Sequence, residues 1–249
     1  MKRVQKLLTM SSAALAVALV LVFAQGAFAT TASSRLETQV ENAIGVYYPG
    51  DFRIQATPAG VVSIKGQTNT LYDKYRVFDI VSRVKGVQEI KDEVTVNTSE
   101  LPNNAVKENV RQELNLANSI MEPERIKVSV DNGDVVLSGT VSSPNEKVVA
   151  ETVTSWQDGV RGIDNQIKVL PPEQATSDQN LHTVLSGILQ NRFPLEKNVS
   201  FQVHAGVVTV SGQVNTLWSR KHIVKDFASV PGVKQVSNHL TVEPMPAIG

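Results

Sequence analysis

Residues 60–66 read GVVSIKG, residues 133–139 read GDVVLSG and residues 206–212 read GVVTVSG, three variants of one phrase set 73 residues apart. The interval holds beyond the phrase. Lys85-Gly86-Val87, Asp158-Gly159-Val160 and Pro231-Gly232-Val233 follow in register, as do Val94-Thr95-Val96, Ile167-Lys168-Val169 and Leu240-Thr241-Val242. A fixed interval of this length means one structural unit used three times, so each residue is read against its counterparts.

Every unit opens with apolar positions at helical spacing: Leu36, Val40 and Ile44; Val106, Val110 and Leu114; Leu181, Leu185, Ile188 and Leu189. A proline follows (Pro49, Pro123, Pro194) and is read as ending the helical stretch before an alternating strand: Phe52, Ile54 and Ala56; Ile126, Val128 and Val130; Val199, Phe201 and Val203. The turns TPAG, DNG and HAG carry a glycine that permits a positive φ, which pairs strands one and two antiparallel. The closing glycines Gly66, Gly139 and Gly212 are read as the end of strand two.

Helix two comes next, with the stripe Val77, Ile80, Val81 and Val84 in unit one and Ile223, Phe227 and Val230 in unit three. In unit two Ala150 and Val153 hold the face while Thr154 and Gln157 interrupt it, so that unit is expected to be the least stable. A Gly-Val turn leads into strand three, marked by Ile90, Val94 and Val96 and by Ile163, Ile167 and Val169. The expected fold class is α+β: three tandem α-β-β-α-β units, each a three-stranded mixed sheet packed by two helices on one face.

The proline-bearing segments Thr98–Asn104 and Pro171–Gln179 place the units near 35–97, 104–170 and 180–243. Ahead of them, Lys2, Arg3 and Lys6, an apolar stretch from Ala13 to Ala24 and the site Ala27-Phe28-Ala29 read as a signal peptide over residues 1–29. That apolar core is shorter than the ~20 residues of a spanning helix. The chain has no cysteine, so no disulfide or thiol chemistry is available. Removing the leader takes three of 24 basic residues and leaves 21 against 24 acidic, a net charge near −3. That balance argues against a general nucleic-acid binder, and the leader points to a periplasmic location.

The pattern GVVxLSGxV, a helix, then GVxxVxNxLxV resembles the BON domain, named for osmotically inducible periplasmic proteins and nodulation proteins. It is carried most fully by GDVVLSGTV in unit two and by GVVTVSGQV with PGVKQVSNHLTV in unit three. Unit one departs by an extra turn residue, Pro58 or Ala59, and by Asp92 where the others have Asn165 and Asn238. The resemblance covers nearly all of the mature chain. It implies an envelope-associated protein that is not a catalyst and binds phospholipid surfaces or other proteins.

The residues offer no rival chemistry. None of the glycine pairs is followed by the Lys-Ser/Thr of a phosphate-binding loop, and no nucleophile elbow or His-Glu-x-x-His spacing occurs. All four histidines (His182, His204, His222, His239) fall in unit three, but on four different elements, where they read as exposed. No cofactor or metal is expected. Asp92, Asn165 and Asn238 share the apolar face of strand three and are expected to tie it to a neighbouring loop.

The units differ most where helix two begins. Unit one has Tyr72, Lys74, Tyr75 and Arg76, and unit three has Trp218, Arg220, Lys221 and Lys225, while unit two reads SSPNEKVV. An aromatic beside cations at an exposed helix start suits an anionic membrane surface, so these eight residues are the candidate membrane-binding set. The alternative is that Tyr72 and Trp218 pack against a neighbouring unit or the edge of their own unit's core, with the lysines solvated. Charge also sorts by unit: eight basic and eight acidic residues in 35–97, seven and ten in 104–170, six and three in 180–243. Units two and three could therefore dock on each other, covering the basic face. The reading is a non-enzymatic periplasmic adaptor for anionic phospholipid surfaces; the alternative is a protein-binding or chaperone-like module of envelope stress, whose sheet edges and apolar helix faces hold clients.

Overall fold

The structure, a computed structural model, describes residues 32–50, 52–170 and 177–244, so the expected signal peptide at 1–29 lies outside the described residues. Unit one runs through α1 (32–45), β1 (Arg53–Ala56), β2 (Val61–Thr68), α2 (Leu71–Ser82) and β3 (Glu89–Val96). Unit two contains α3 (Asn103–Leu116), β4 (Ile126–Asp131), β5 (Asp134–Val141), α4 (Pro144–Ser155), β6 (Gly162–Asn165) and β7 (Lys168–Val169). Unit three contains α5 (Asp178–Arg192), β8 (Asn198–His204), β9 (Val207–Val214), α6 (Leu217–Ala228) and β10 (Gln235–Val242). Each is an α-β-β-α-β unit. In every sheet strand two is central, antiparallel to strand one and parallel to strand three.

The helix-one stripes and the inward residues of strand two are buried, except that Ile188 and Leu189 of unit three are half-buried. In the hairpins of units two and three both turn residues have positive φ, Asn132 at 49° with Gly133 at 86° and Ala205 at 50° with Gly206 at 79°. That is the turn whose twist matches two short paired strands.

Three expectations change. The closing glycines do not end strand two but stand inside it: Gly212 pairs with Val199 on one side and Leu240 on the other. Gly212 adopts φ of 125°, and an added Cβ would run into the Asn198 carbonyl, so the glycine permits a close approach of strand one. Prolines do not stop every first helix, since α3 already ends at Leu116 and Pro123 opens a short 3-10 turn. Strand three of unit two is broken into β6 and β7 at Gln166-Ile167.

The interrupted stripe of unit two is accommodated rather than exposed. Thr154 is completely buried where Val81 and Phe227 stand in the other units, and its hydroxyl donates to the Ala150 carbonyl at 2.7 Å. This back-bond satisfies the hydroxyl but leaves the site with less apolar contact than an aliphatic side chain makes. Thr154→Val is therefore expected to stabilise the protein by about 1 kcal/mol, the worth of one buried methyl, as read from denaturant midpoints of the full chain.

Candidate functional site

Helix two starts the same way in every unit. Thr70, Ser143 and Thr216 are its N-caps, and each side-chain oxygen accepts the N–H three residues on: Asp73 at 3.0 Å, Glu146 at 3.3 Å and Ser219 at 3.1 Å. The cap fixes the second helical residue at the outer edge of the core, and there the units differ: Tyr72, Asn145 and Trp218.

Trp218 Nε1 donates to Asp79 Oδ1 of α2 at 2.8 Å, the Arg83 guanidinium lies 4.0 Å from the indole centroid, and the His222 ring stacks on the indole at 4.2 Å. Arg83 also donates to Asp79 Oδ2 at 3.2 Å. These contacts join unit three to unit one, whose apolar interiors form one continuous cluster. Tyr72 has the equivalent role at the seam between units one and two. It meets Trp156 edge to face, centroids 5.3 Å apart at 78°, while neighbouring Leu71 belongs to the core of unit two. Trp156 and Arg83 are themselves equivalent, each the C-cap of helix two. The same joint is used twice.

The remaining candidate residues divide into engaged and free. Lys74 Nζ pairs with Asp92 Oδ2 at 2.8 Å and donates to the Val94 carbonyl at 2.7 Å, and Arg76 faces Asp79 at 3.6 Å. Tyr75 lies at the seam of units one and two, where burial and then the Glu151 charge raise its phenol pKa. Arg220, Lys221 and Lys225 make no ion pair among the described residues, and Lys221 and Lys225 are exposed. Charge does not dock unit two on unit three: no ion pair links them among the described residues, and unit one makes the joint with each.

Arg220 and Lys221 line one wall of an open groove of about 530 Å³ that crosses the seam of units one and three. Leu217 and Val224 share that wall, Gln88 comes from the turn before β3, Glu89 and Ile90 from its start, and Asn238 of β10 completes the lining.

The strand-three polar residues behave otherwise than expected. Asp92 and Asn238 are exposed, and each accepts the N–H two residues on in its own strand, Val94 at 2.9 Å and Leu240 at 2.9 Å. Asn165 donates to the Lys147 carbonyl and to Glu151, both at 3.1 Å, so it ties the strand to α4 and not to a loop. His222 is half-buried in the seam, while His182, His204 and His239 are exposed. Among the described residues no group of three or more His, Asp or Glu is placed to hold a metal ion.

Sequence pattern carries no signal for one further feature. Val46, Tyr47, Leu116, Met121 and Leu195 are 63 to 81% exposed, more than any other large apolar side chain among the described residues. All five lie between the last residue of helix one and the start of strand one. Asn215, beside the α6 cap, donates to the Leu195 carbonyl at 3.2 Å, which sets this loop next to the cationic start of α6.

The BON domain matches residues 32–98, 102–171 and 177–244, and the chain belongs to that family, which is associated with phospholipid binding and envelope proteins. A protein of Anaplasma centrale described as an uncharacterized protein in the gshII 5′ region is 28% identical over 123 residues, 47% of this chain and 82% of that one. Solved structures with similarity include CdsD, a structural protein of the type III secretion system of Chlamydia trachomatis, at 18% identity and TM-score 0.24, over 85% of this chain and 93% of that one. The periplasmic domain of the inner membrane protein PrgH of S. typhimurium follows at 12% identity and TM-score 0.21, over 78% of this chain and 100% of that one. No helix among the described residues is long and apolar enough to cross a membrane.

The seam carries two expectations. Trp218→Ala removes the ring from between Arg83 and His222 and leaves Asp79 without its indole donor, so unfolding of the full chain should shift to lower denaturant by roughly 3 kcal/mol, as for other tryptophan truncations. The second concerns pH. Burial, outweighing the Trp218 carbonyl and the Asp79 charge, holds the His222 pKa below its ordinary value. The unfolded chain then binds the proton more readily, so stability is full above the ordinary histidine pKa of about 6.5 and falls as pH drops through that range towards the depressed value. His222→Phe, measured by denaturant midpoints between neutral and mildly acidic pH, should remove that contribution to the slope.

Proposed function

We propose that this BON protein is a non-enzymatic adaptor that binds anionic phospholipid surfaces of the envelope from the periplasmic side, with unit three making the principal contact. The observation that carries the reading is the groove beside α6, where Arg220 and Lys221 stand without ion-pair partners among the described residues, on a wall that also offers Leu217 and Val224. A phosphate held by the two cations at the groove mouth, with Lys225 adding charge further along the helix, is the arrangement that favours anionic over neutral lipid. Leu195, exposed on the neighbouring loop, supplies apolar surface for the interface. Of the unit-one candidates, Tyr75 lies in the seam with unit two and Arg76 already faces Asp79, so unit one is the lesser contact. Trp218, Tyr72 and Lys74 serve by holding the helices in place.

A second reading, protein binding, is favoured by one observation: an exposed apolar residue in the loop after helix one of every unit, with Tyr47, Met121 and Leu195 as the examples. Flotation with vesicles separates the two. The chain should float with anionic and not with neutral vesicles, and less so as salt rises. Changing Arg220, Lys221 or Lys225 to Gln should weaken binding by up to about 1 kcal/mol each, roughly fivefold, with the fold unchanged. Binding to neither vesicle, or equal binding to both, would leave the protein-binding reading in its place.

A further inference from the structure

The joint between units has a donor end and an acceptor end, and the chain leaves one of each unused. Trp218, the second residue of α6, seats on Asp79 and Arg83 at the end of α2, and Tyr72, the second residue of α2, seats on Trp156 at the end of α4. Stepping by 73 residues, the third acceptor is formed by Lys225 and Ser229 at the end of α6, and the third donor position is Asn145. Lys225 and Asn145 are exposed, whereas Trp218 and Tyr72 are half-buried in their seams. Among the described residues the units therefore form an open series, three onto one onto two, with an acceptor left bare at one end.

We propose that the end of α6 is a docking site for the second helix of an α-β-β-α-β unit in a different polypeptide, one with Trp or Tyr at the second helical position and a carboxylate at the sixth. The aromatic follows from both filled joints, where a ring at that position makes the contact. The carboxylate follows from the charge at the acceptor. His222, the sixth residue of α6, faces Asp79 at 3.8 Å across the filled seam, and Lys225 stands where Asp79 stands in unit one, without an ion pair among the described residues. A cation there favours an anion on the incoming helix and disfavours a His or Arg. A second copy of this chain lacks both features in its one free donor, since Asn145 and Val149 hold the second and sixth positions of α4. A partner so seated covers Lys225, one of the three cations of the lipid reading, but not Arg220 and Lys221, which line the groove, so the two surfaces share that one residue.

The competence of the bare acceptor is tested with the full chain as its own probe, by sedimentation velocity over a concentration series. The wild-type chain should remain monomeric. Asn145→Trp gives unit two the missing ring and should tighten self-association by at least about tenfold. Adding Lys225→Asp with Ser229→Arg, which recreates Asp79 and Arg83 at the acceptor, should tighten it further. An Asn145→Trp chain that is folded by circular dichroism yet stays monomeric, even with the recreated acceptor, overturns the proposal. So does self-association that persists unchanged when Lys225 and Ser229 are both changed to Glu and Pro, respectively. A wild-type chain that already self-associates, and stops doing so in Lys225→Glu, overturns the assignment to a different polypeptide.

Discussion

The hydrogen bond from the Trp218 indole to Asp79 sits at the centre of the joint that holds unit three to unit one. Domains of about 65 residues bury only around 60% of their extended-chain surface, so each unit gains from covering a face with a neighbour. The seam does this with groups that would each be costly alone. A sequestered indole N–H without an acceptor costs about 1–3 kcal/mol, and a half-buried carboxylate needs donors. Asp79 meets both needs: it accepts from Trp218 and Arg83 and has Arg76 within 3.6 Å. Arg83 then closes over the indole, adding a cation–π contact that is stronger where water is excluded. The result is polar at its centre and apolar around it, with the interiors of units one and three continuous on either side.

The order of elements was legible because each depends on local periodicity, and three registered copies confirm one another. Leu36, Val40 and Ile44 are buried in one unit for the same geometrical reason as Val106, Val110 and Leu114 in the next. The closing glycines were misplaced because a glycine between apolar runs reads as a break, while the strand continues through it on backbone hydrogen bonds that need no side chain. The strand-three Asp and Asn positions were expected to be buried because alternation sets the face of a residue; whether a helix covers that face is decided by the packing of α2 and α6. The apolar loop residues were missed for a related reason, since a single Met121 or Leu195 carries no period.

The joint between units was half legible. The aromatics at 72 and 218 stand two periods apart, and Arg83 and Trp156 one period apart, so both partners of both seams were visible as register-equivalent positions. What the sequence does not show is that one end of helix two meets the other end of its neighbour's, because periodicity describes a unit and says nothing of the operation relating two units. Charge pointed the wrong way for the same reason. The acidic balance of unit two and the basic balance of unit three suggested a contact, but the aromatic joint is short-ranged and directional, and it placed unit one against each of them.

That placement gives the charge distribution its use. With Asp178 of α5 counted, unit three carries six basic and four acidic residues, unit one eight and eight, and unit two seven and ten, so along the series three, one, two the net charge runs from +2 through 0 to −3. Had the ends paired with each other, the opposite charges would have cancelled. Held apart by a neutral unit, they give the molecule a positive end and a negative end, and an anionic surface attracts one while repelling the other. The Debye length of about 8 Å at physiological ionic strength confines this to the last approach, when the near unit feels the surface and the far one does not. In the lipid reading the charges that count within that distance are Arg220, Lys221 and Lys225, unpaired among the described residues, because Lys74, Arg76, Arg83 and Arg192 already face carboxylates. In the lipid reading, orientation thus comes from the order of the units, and contact comes from the few cations that the joints leave free.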